Sequence, residues 1–181
     1  VNDHVLATER CVLRRLSRDD AAHVWSAGHT PGFTDAMTWD PPKDMDEIHA
    51  FTDAKLAEWE AGTRYVWSIF SKEADAFIGR IETHKCPELP GNTWGLGYWI
   101  HPTQQKKGFA TEAAREVVRF AFEVQGADEI VTSHVDWNDA SGNVMKKLGM
   151  KHTGFSEGRT YKHGKPERMA EYALLRGEWN A

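Results

Sequence analysis

Residues 96–113 read LGYWIHPTQQKKGFATEA, an apolar run that gives way to glutamine, lysine and glycine and then to good helix formers. The local reading is a strand, a turn and a helix, because Ala110, Ala113, Val117, Phe120 and Val124 recur at helical spacing behind Gly108. The start of such a helix presents backbone N–H groups without intrahelical partners and the positive end of a dipole, which suits an anion. Gly108 lets the backbone approach closely, Ala110 keeps the first turn uncrowded, Gln105 has an amide to donate, and Lys106 and Lys107 add positive charge. The pattern Q-x-x-G-x-A therefore admits two readings, a plain strand-to-helix turn and a phosphate cradle. It lacks the Gly-Lys-Ser/Thr ending of a triphosphate loop and the GxGxxG of a dinucleotide fold, so nucleoside triphosphates and nicotinamide dinucleotides fit poorly.

Outward from this stretch, the chain alternates strand and helix signals. Cys11 to Leu16 reads as a strand, and Ser17 with Asp20 opens a helix by a capping-box arrangement. Asp44 and Glu47 repeat that arrangement before a second helix, whose stripe is Ile48, Phe51, Leu56 and Trp59 and whose stop is Gly62. Tyr65 to Ser71 and Ala76 to His84 form a hairpin, and Trp94 to Ile100 is the next strand. Beyond the long helix come a strand over Ile130 to Val135, a short helix over Asp139 to Leu148 closed by Gly149, and strands over Thr153 to Glu157 and Arg168 to Leu175. The expected class is α/β in the α+β sense, a mixed and mostly antiparallel sheet of six to seven strands flanked by four helices.

At 181 residues, with 40% apolar and 27% charged residues, the chain has the size and composition of one folded domain spanning 1–181. No stretch approaches the apolar length of a membrane span, and the amino-terminal VNDHVLATERC lacks the apolar middle of a signal peptide, so a cytoplasmic location is expected. Cys11 and Cys86 have no CxxC or CxxH companion, and the nine histidines form no HxH or HExxH pattern, so no metal is expected. A net charge of −5 argues against stable nucleic-acid binding and tolerates a cationic acceptor such as an amine. Pairing of two copies along an exposed edge strand stays open.

Three groups of residues together carry a family resemblance: Gly97 to Pro102, then Gln105 to Ala113, then Asn138 with Ser141 and Lys147 to Met150. Their succession resembles the motifs of the GNAT superfamily of N-acetyltransferases, and in particular its RimJ/RimL branch, which acetylates ribosomal-protein amino termini and has relatives acting on small amines. Ala7 to Arg10 with Leu13 and Arg14, and Glu171 to Leu175 with Glu178 and Trp179, extend the likeness to both ends. The resemblance implies transfer of an acetyl group from acetyl-CoA to a primary amine, a peptide amino terminus or a small molecule, by direct attack in a ternary complex. It implies that Gln105, Lys106, Lys107, Gly108, Phe109, Ala110 and Thr111 hold the pyrophosphate. It also implies that Tyr98, Trp99 and Ile100 pair through their backbone with the pantetheine arm, with a backbone N–H polarising the thioester carbonyl.

Asn138 and Ser141 lie at a helix start, where both residue types are also ordinary caps. The resemblance implies that Asn138 binds the pantetheine arm or a water and that Ser141 hydrogen-bonds the departing thiolate, because Met145 stands where many relatives place an acidic tyrosine. The family often has a glutamate two residues before Gly97 to take the amine's proton, and this chain has Gly95 there. A peptide amino terminus, with a pKa of about 7.7–8.0, is partly neutral at pH 7, whereas a lysine faces about 4.6 kcal/mol to present its neutral form. The missing carboxylate thus favours an acceptor of lowered pKa. Glu82 and His84, on one face of the neighbouring strand, are candidate replacements, and Trp39, ahead of Asp40-Pro41-Pro42, is a candidate acceptor contact. Tyr161 to Lys165, a hairpin tip, is a candidate opposite wall. The competing reading is a catalytically weak acyl-CoA-binding sensor or interaction module.

Overall fold

The computed structural model describes residues 3–162 and 165–179, and for 159–162 and 165 the backbone alone. Strands β1 (Leu6–Ala7) and β2 (Cys11–Arg15) precede helices α1 (Ala21–Gly28) and α2 (Met45–Glu60). Then come β3 (Arg64–Ser71), β4 (Phe77–Lys85), β5 (Thr93–Ile100), α3 (Phe109–Glu123), β6 (Glu129–Val135), α4 (Asp139–Lys147), β7 (Lys151–Lys162) and β8 (Lys165–Leu175). They form one sheet in the order β1-β2-β3-β4-β5-β6-β8-β7, antiparallel except for β5 beside β6.

The class and the four helices are as expected, but the sheet has eight strands rather than six or seven. The additional β1 has two residues, too short to show alternation, and forms because Leu6 and Ala7 pair with Leu13 and Val12. β7 and β8 run further towards their turn than the apolar pattern indicated, because their outer rungs pair along the ladder as far as Lys162 opposite Lys165.

The caps explain where the helices begin. The Ser17 hydroxyl accepts from Asp19 N and Asp20 accepts from Ser17 N, capping a single 3-10 turn that leads into α1. Asp44 accepts from Glu47 N at 2.8 Å, while Glu47 reaches back to Lys43 N at 2.8 Å. Helix α3 buries Ala113, Ala114, Val117, Val118, Phe120 and Ala121 against Trp67, Ile69, Ile81 and Leu96. Two members of the expected stripes are exposed and Leu56 is only half-buried: Val124 caps α3 at 57% exposure, and Phe51 is 50% exposed where it faces an open cavity.

The feature that creates a site is a parting of neighbours. β5 pairs with β6 only through Thr93–Gly95 opposite Glu129–Val131. Past that point β5 continues with β4 as far as Ile100 opposite Gly79, while β6 continues with β8 as far as Val135 opposite Met169. A gap therefore opens in the sheet beside Leu96 to Ile100.

Candidate active site

Within the gap, backbone alternation decides which groups are offered. Leu96 O accepts from Thr132 Oγ1 at 2.8 Å and Ile100 O from Gln105 Nε2 at 3.1 Å, so alternate residues of β5 turn their peptide groups towards the gap. Tyr98 lies between them and presents its N–H and C=O there. Trp99 departs from the expectation: its peptide groups face Arg80 in the β4 ladder, and its ring stands on the other side of the sheet with Trp39 and Phe33. The Tyr98 hydroxyl spans the gap to Ser141 O at 3.4 Å, and burial, only partly offset by that contact, pushes its pKa up to about 12.

The loop behind β5 is built for close backbone approach. Lys106 (φ 62°) and Gly108 (φ 83°) are both left-handed, and Gly108 serves as N-cap of α3 with no side-chain capping bond. The first intrahelical bond is Glu112 N to Gly108 O, which leaves the N–H groups of Phe109, Ala110 and Thr111 without helical acceptors. Gln105 gives one amide hydrogen to Ile100 O and so braces the loop on the end of β5. Lys107 folds back onto Thr103 O and Gln104 Oε1, while Lys106 is exposed.

Glu112 ties this turn to the amino-terminal strands, accepting from Thr8 Oγ1, Arg10 N at 2.8 Å and Arg10 Nε at 2.7 Å. Arg10 also donates to Lys107 O and lies 4.6 Å over the Phe109 ring. Burial tends to raise the Glu112 pKa, but the hydrogen bonds from Thr8 and Arg10 prevail and hold it below the ordinary glutamate value.

Across the gap, Asn138 caps α4. Its Oδ1 accepts from Ser141 N at 3.3 Å and its Nδ2 donates to Ser141 Oγ at 3.2 Å, so the capping role is realised and fixes the serine hydroxyl. Met145 is buried at 1% exposure. His134 was missed by sequence reasoning: Nδ1 lies 2.8 Å from Val135 O, the ring stacks on Tyr172, and Nε2 is sealed and without a hydrogen-bond partner. Its one sequence signal is strand alternation ahead of Asn138.

A cavity of about 520 Å³ joins these parts, lined among others by Trp39, Glu82, Tyr98, His134, Asn138 and Ser141. Residues 105–111, expected to hold the pyrophosphate, lie outside its lining, as does His84. Its floor is a ladder of one sheet face, with Arg80 and Trp99 on one rung and Val66, Glu82 and Gly97 on the next. Trp39 reaches over this floor, its ring centroid 6.1 Å from that of Trp99. Of the tip Tyr161 to Lys165, expected as an opposite wall, residues 163 and 164 lie outside the described residues and the other three are described in backbone alone.

Glu82 and His84 do share a face, and the glycines opposite make room for them. A Cβ on Gly97 would sit 3.2 Å from Glu82 Cγ, and one on Gly95 only 2.3 Å from His84 Nε2. Glu82 is paired with Arg64, which also donates to Glu58, and lies 3.4 Å from His84 Nδ1. Burial works to raise the Glu82 pKa, but the His84 contact and the Arg64 charge outweigh it and keep the carboxyl below its ordinary range.

A family model described as an acetyltransferase (GNAT) domain matches residues 10–151. The uncharacterized N-acetyltransferase YnaD of Bacillus subtilis is 30% identical over 112 residues, covering 62% of this chain and 65% of that protein, so the match spans just under two thirds of its length. The ribosomal protein uS5 alanine N-acetyltransferase of Escherichia coli is 22% identical over 185 aligned positions, 96% of this chain and 85% of that one. Among solved structures, the RimL ribosomal-protein acetyltransferase in complex with coenzyme A superposes with a TM-score of 0.84 at 15% identity, covering 95% of this chain and 98% of that chain.

Proposed function

The chain belongs to the GNAT acetyltransferase family and is an N-acetyltransferase, and on that premise we propose that it acetylates a primary amine held over Glu82 and Trp99, with both substrates bound at once. The carrying observation is the single cavity that joins the acceptor-side residues Trp39 and Glu82 to Asn138 and Ser141 beside the sheet gap. The residues fit acetyl-CoA as donor. The helix-start N–H groups of Phe109, Ala110 and Thr111 would hold the pyrophosphate, and Gly108 with its left-handed φ keeps a side chain out of the way. The peptide groups of Tyr98 would pair with the pantetheine arm, and its N–H would polarise the thioester carbonyl. Ser141, fixed by Asn138, would hydrogen-bond the departing thiolate.

In the reaction the amine nitrogen forms the new C–N bond as the C–S bond breaks, and one N–H proton must leave. Glu82 is the cavity's carboxylate nearest the rung of Gly97, with His84 behind it as a part-exposed route to solvent. A carboxylate held below its ordinary pKa is a weak base, so Glu82 suits an amine already partly neutral, such as a peptide amino terminus. Holding amine and thioester together supplies much of the rate by removing the entropy of encounter. Among the described residues no helix is long and apolar enough to cross a membrane, and a cytoplasmic site of action belongs to the same proposal.

The test is thiol release from acetyl-CoA across a panel of peptides and small amines. Acceptor-dependent release is expected. Tight acetyl-CoA binding without turnover on any acceptor would replace the enzyme with an acyl-CoA-binding module.

A further inference from the structure

The acceptor cavity contains a cation that acetyl transfer by itself does not require. Arg80 is 4% exposed and lines the cavity on the same face of β4 as Glu82. Its Nε and Nη2 are closed to solvent and have no hydrogen-bond partner; Asp20 forms an ion pair with Nη2 at 3.8 Å, too long for a hydrogen bond. Asp20 is committed elsewhere, accepting from Ser17 N and the Ser68 hydroxyl. Glu82 turns to Arg64 rather than to Arg80. Arginine stays charged throughout the working pH range, and a buried guanidinium without its hydrogen bonds is costly unless something supplies the acceptor.

We propose that Arg80 is an anion subsite of the acceptor pocket, and that the preferred acceptor carries a carboxylate a few bonds from its amine. This inference rests on the acetyltransferase reading of the same cavity. Arg80 and Glu82 are alternate residues of one strand, so their Cα atoms stand about 6.6 Å apart. Opposite charges on neighbouring rungs of one sheet face suit a molecule with an ammonium at one end and a carboxylate at the other. Trp39 and Trp99 provide an apolar cover for the linking carbons. The carboxylate could belong to a free amino acid or to an acidic side chain next to a peptide amino terminus, and guanidinium recognition is the same for both.

Initial rates with 3-aminopropanoate and 3-aminopropanamide as paired probes, and with peptides beginning Gly-Asp and Gly-Asn, separate the sources. The wild-type protein should favour the acid in at least one pair by about tenfold or more in kcat/KM. In Arg80→Met the ratio should fall towards one. Preference for the free acid alone identifies a small amino acid, and preference for Gly-Asp alone identifies a peptide. Equal, measurable rates within both pairs, or a preference retained in Arg80→Met, would overturn the subsite. Calorimetric titration of the same probes into wild-type protein with coenzyme A present gives a second readout that needs neither the variant nor turnover. Binding of an acid and not of its amide is expected, and equal or absent binding of all four overturns the proposal. Neutral amines acetylated without acid preference would sink this inference alone, whereas acid binding with no acetylation of anything would sink the transfer reading and leave the subsite standing.

Discussion

Gly95 and His84 face each other across the β4–β5 ladder so closely that a Cβ on Gly95 would stand 2.3 Å from His84 Nε2. The space over Gly95 is thus filled from the neighbouring strand by an imidazole. Gly95→Ala should destabilise the protein by about 1–3 kcal/mol through overpacking, read as a lower midpoint in thermal or urea unfolding. The loss should shrink when His84→Ala is made as well, since the two changes share one space. Strict additivity of the pair would show that the imidazole does not occupy that volume.

Removing the Glu82 charge tests the acceptor side. Glu82→Gln should lower kcat/KM by about a hundredfold while leaving acetyl-CoA affinity in place. Because the folded pKa of Glu82 is depressed, the carboxylate is ionised above its folded pKa and lost only as pH falls through it. Wild-type kcat/KM should therefore rise with pH through the acceptor amine's own ionisation and show no Glu82 limb above the ordinary glutamate range of about 4.3. A variant within twofold of wild type would remove Glu82 from the mechanism.

Asn138 and Ser141 should separate in their effects. Asn138→Ala removes a cap, so it should cost about 1 kcal/mol of stability and also slow turnover by freeing the serine hydroxyl. Ser141→Ala should leave unfolding nearly unchanged and lower kcat by about tenfold with little change in the KM for acetyl-CoA. Normal turnover in Ser141→Ala would end its assignment to the departing thiolate.

Glu112 links stability to pH. Its folded pKa is depressed by Thr8 and Arg10 against the opposing effect of burial, so its contribution is present above the unfolded value of about 4.3 and is lost as pH falls through the folded pKa. Glu112→Gln should be less stable than wild type at pH 7, and the difference should narrow as unfolding is repeated down to pH 3. A difference that stays constant over that range would mean the ionised carboxylate is not what holds Arg10.

Much of the site was legible because its signals are local. Gly108 behind a strand and ahead of a helical repeat marks the turn, and Asn138 three residues before Ser141 marks a cap, since caps and left-handed turns are decided by a few adjacent residues. The same locality gave the helix starts at Ser17 and Asp44. Arg80 and His134 were not legible. Each sits in a strand where an apolar or a polar residue would alternate equally well, and their significance comes from what the other strands place beside them.

The sequence by itself therefore determined the order of elements from β2 onward, the glycine turn at the head of α3 and the family, because periodicity, caps and turns depend on neighbours along the chain. Only the tertiary structure decided where β5 leaves β6, that the backbone of Trp99 pairs with β4, and that Arg80, Glu82 and Trp39 share one cavity with Ser141. Those relationships depend on register between distant strands, and a shift of one residue in register would carry Arg80, Glu82 and Trp99 to the opposite face of the sheet.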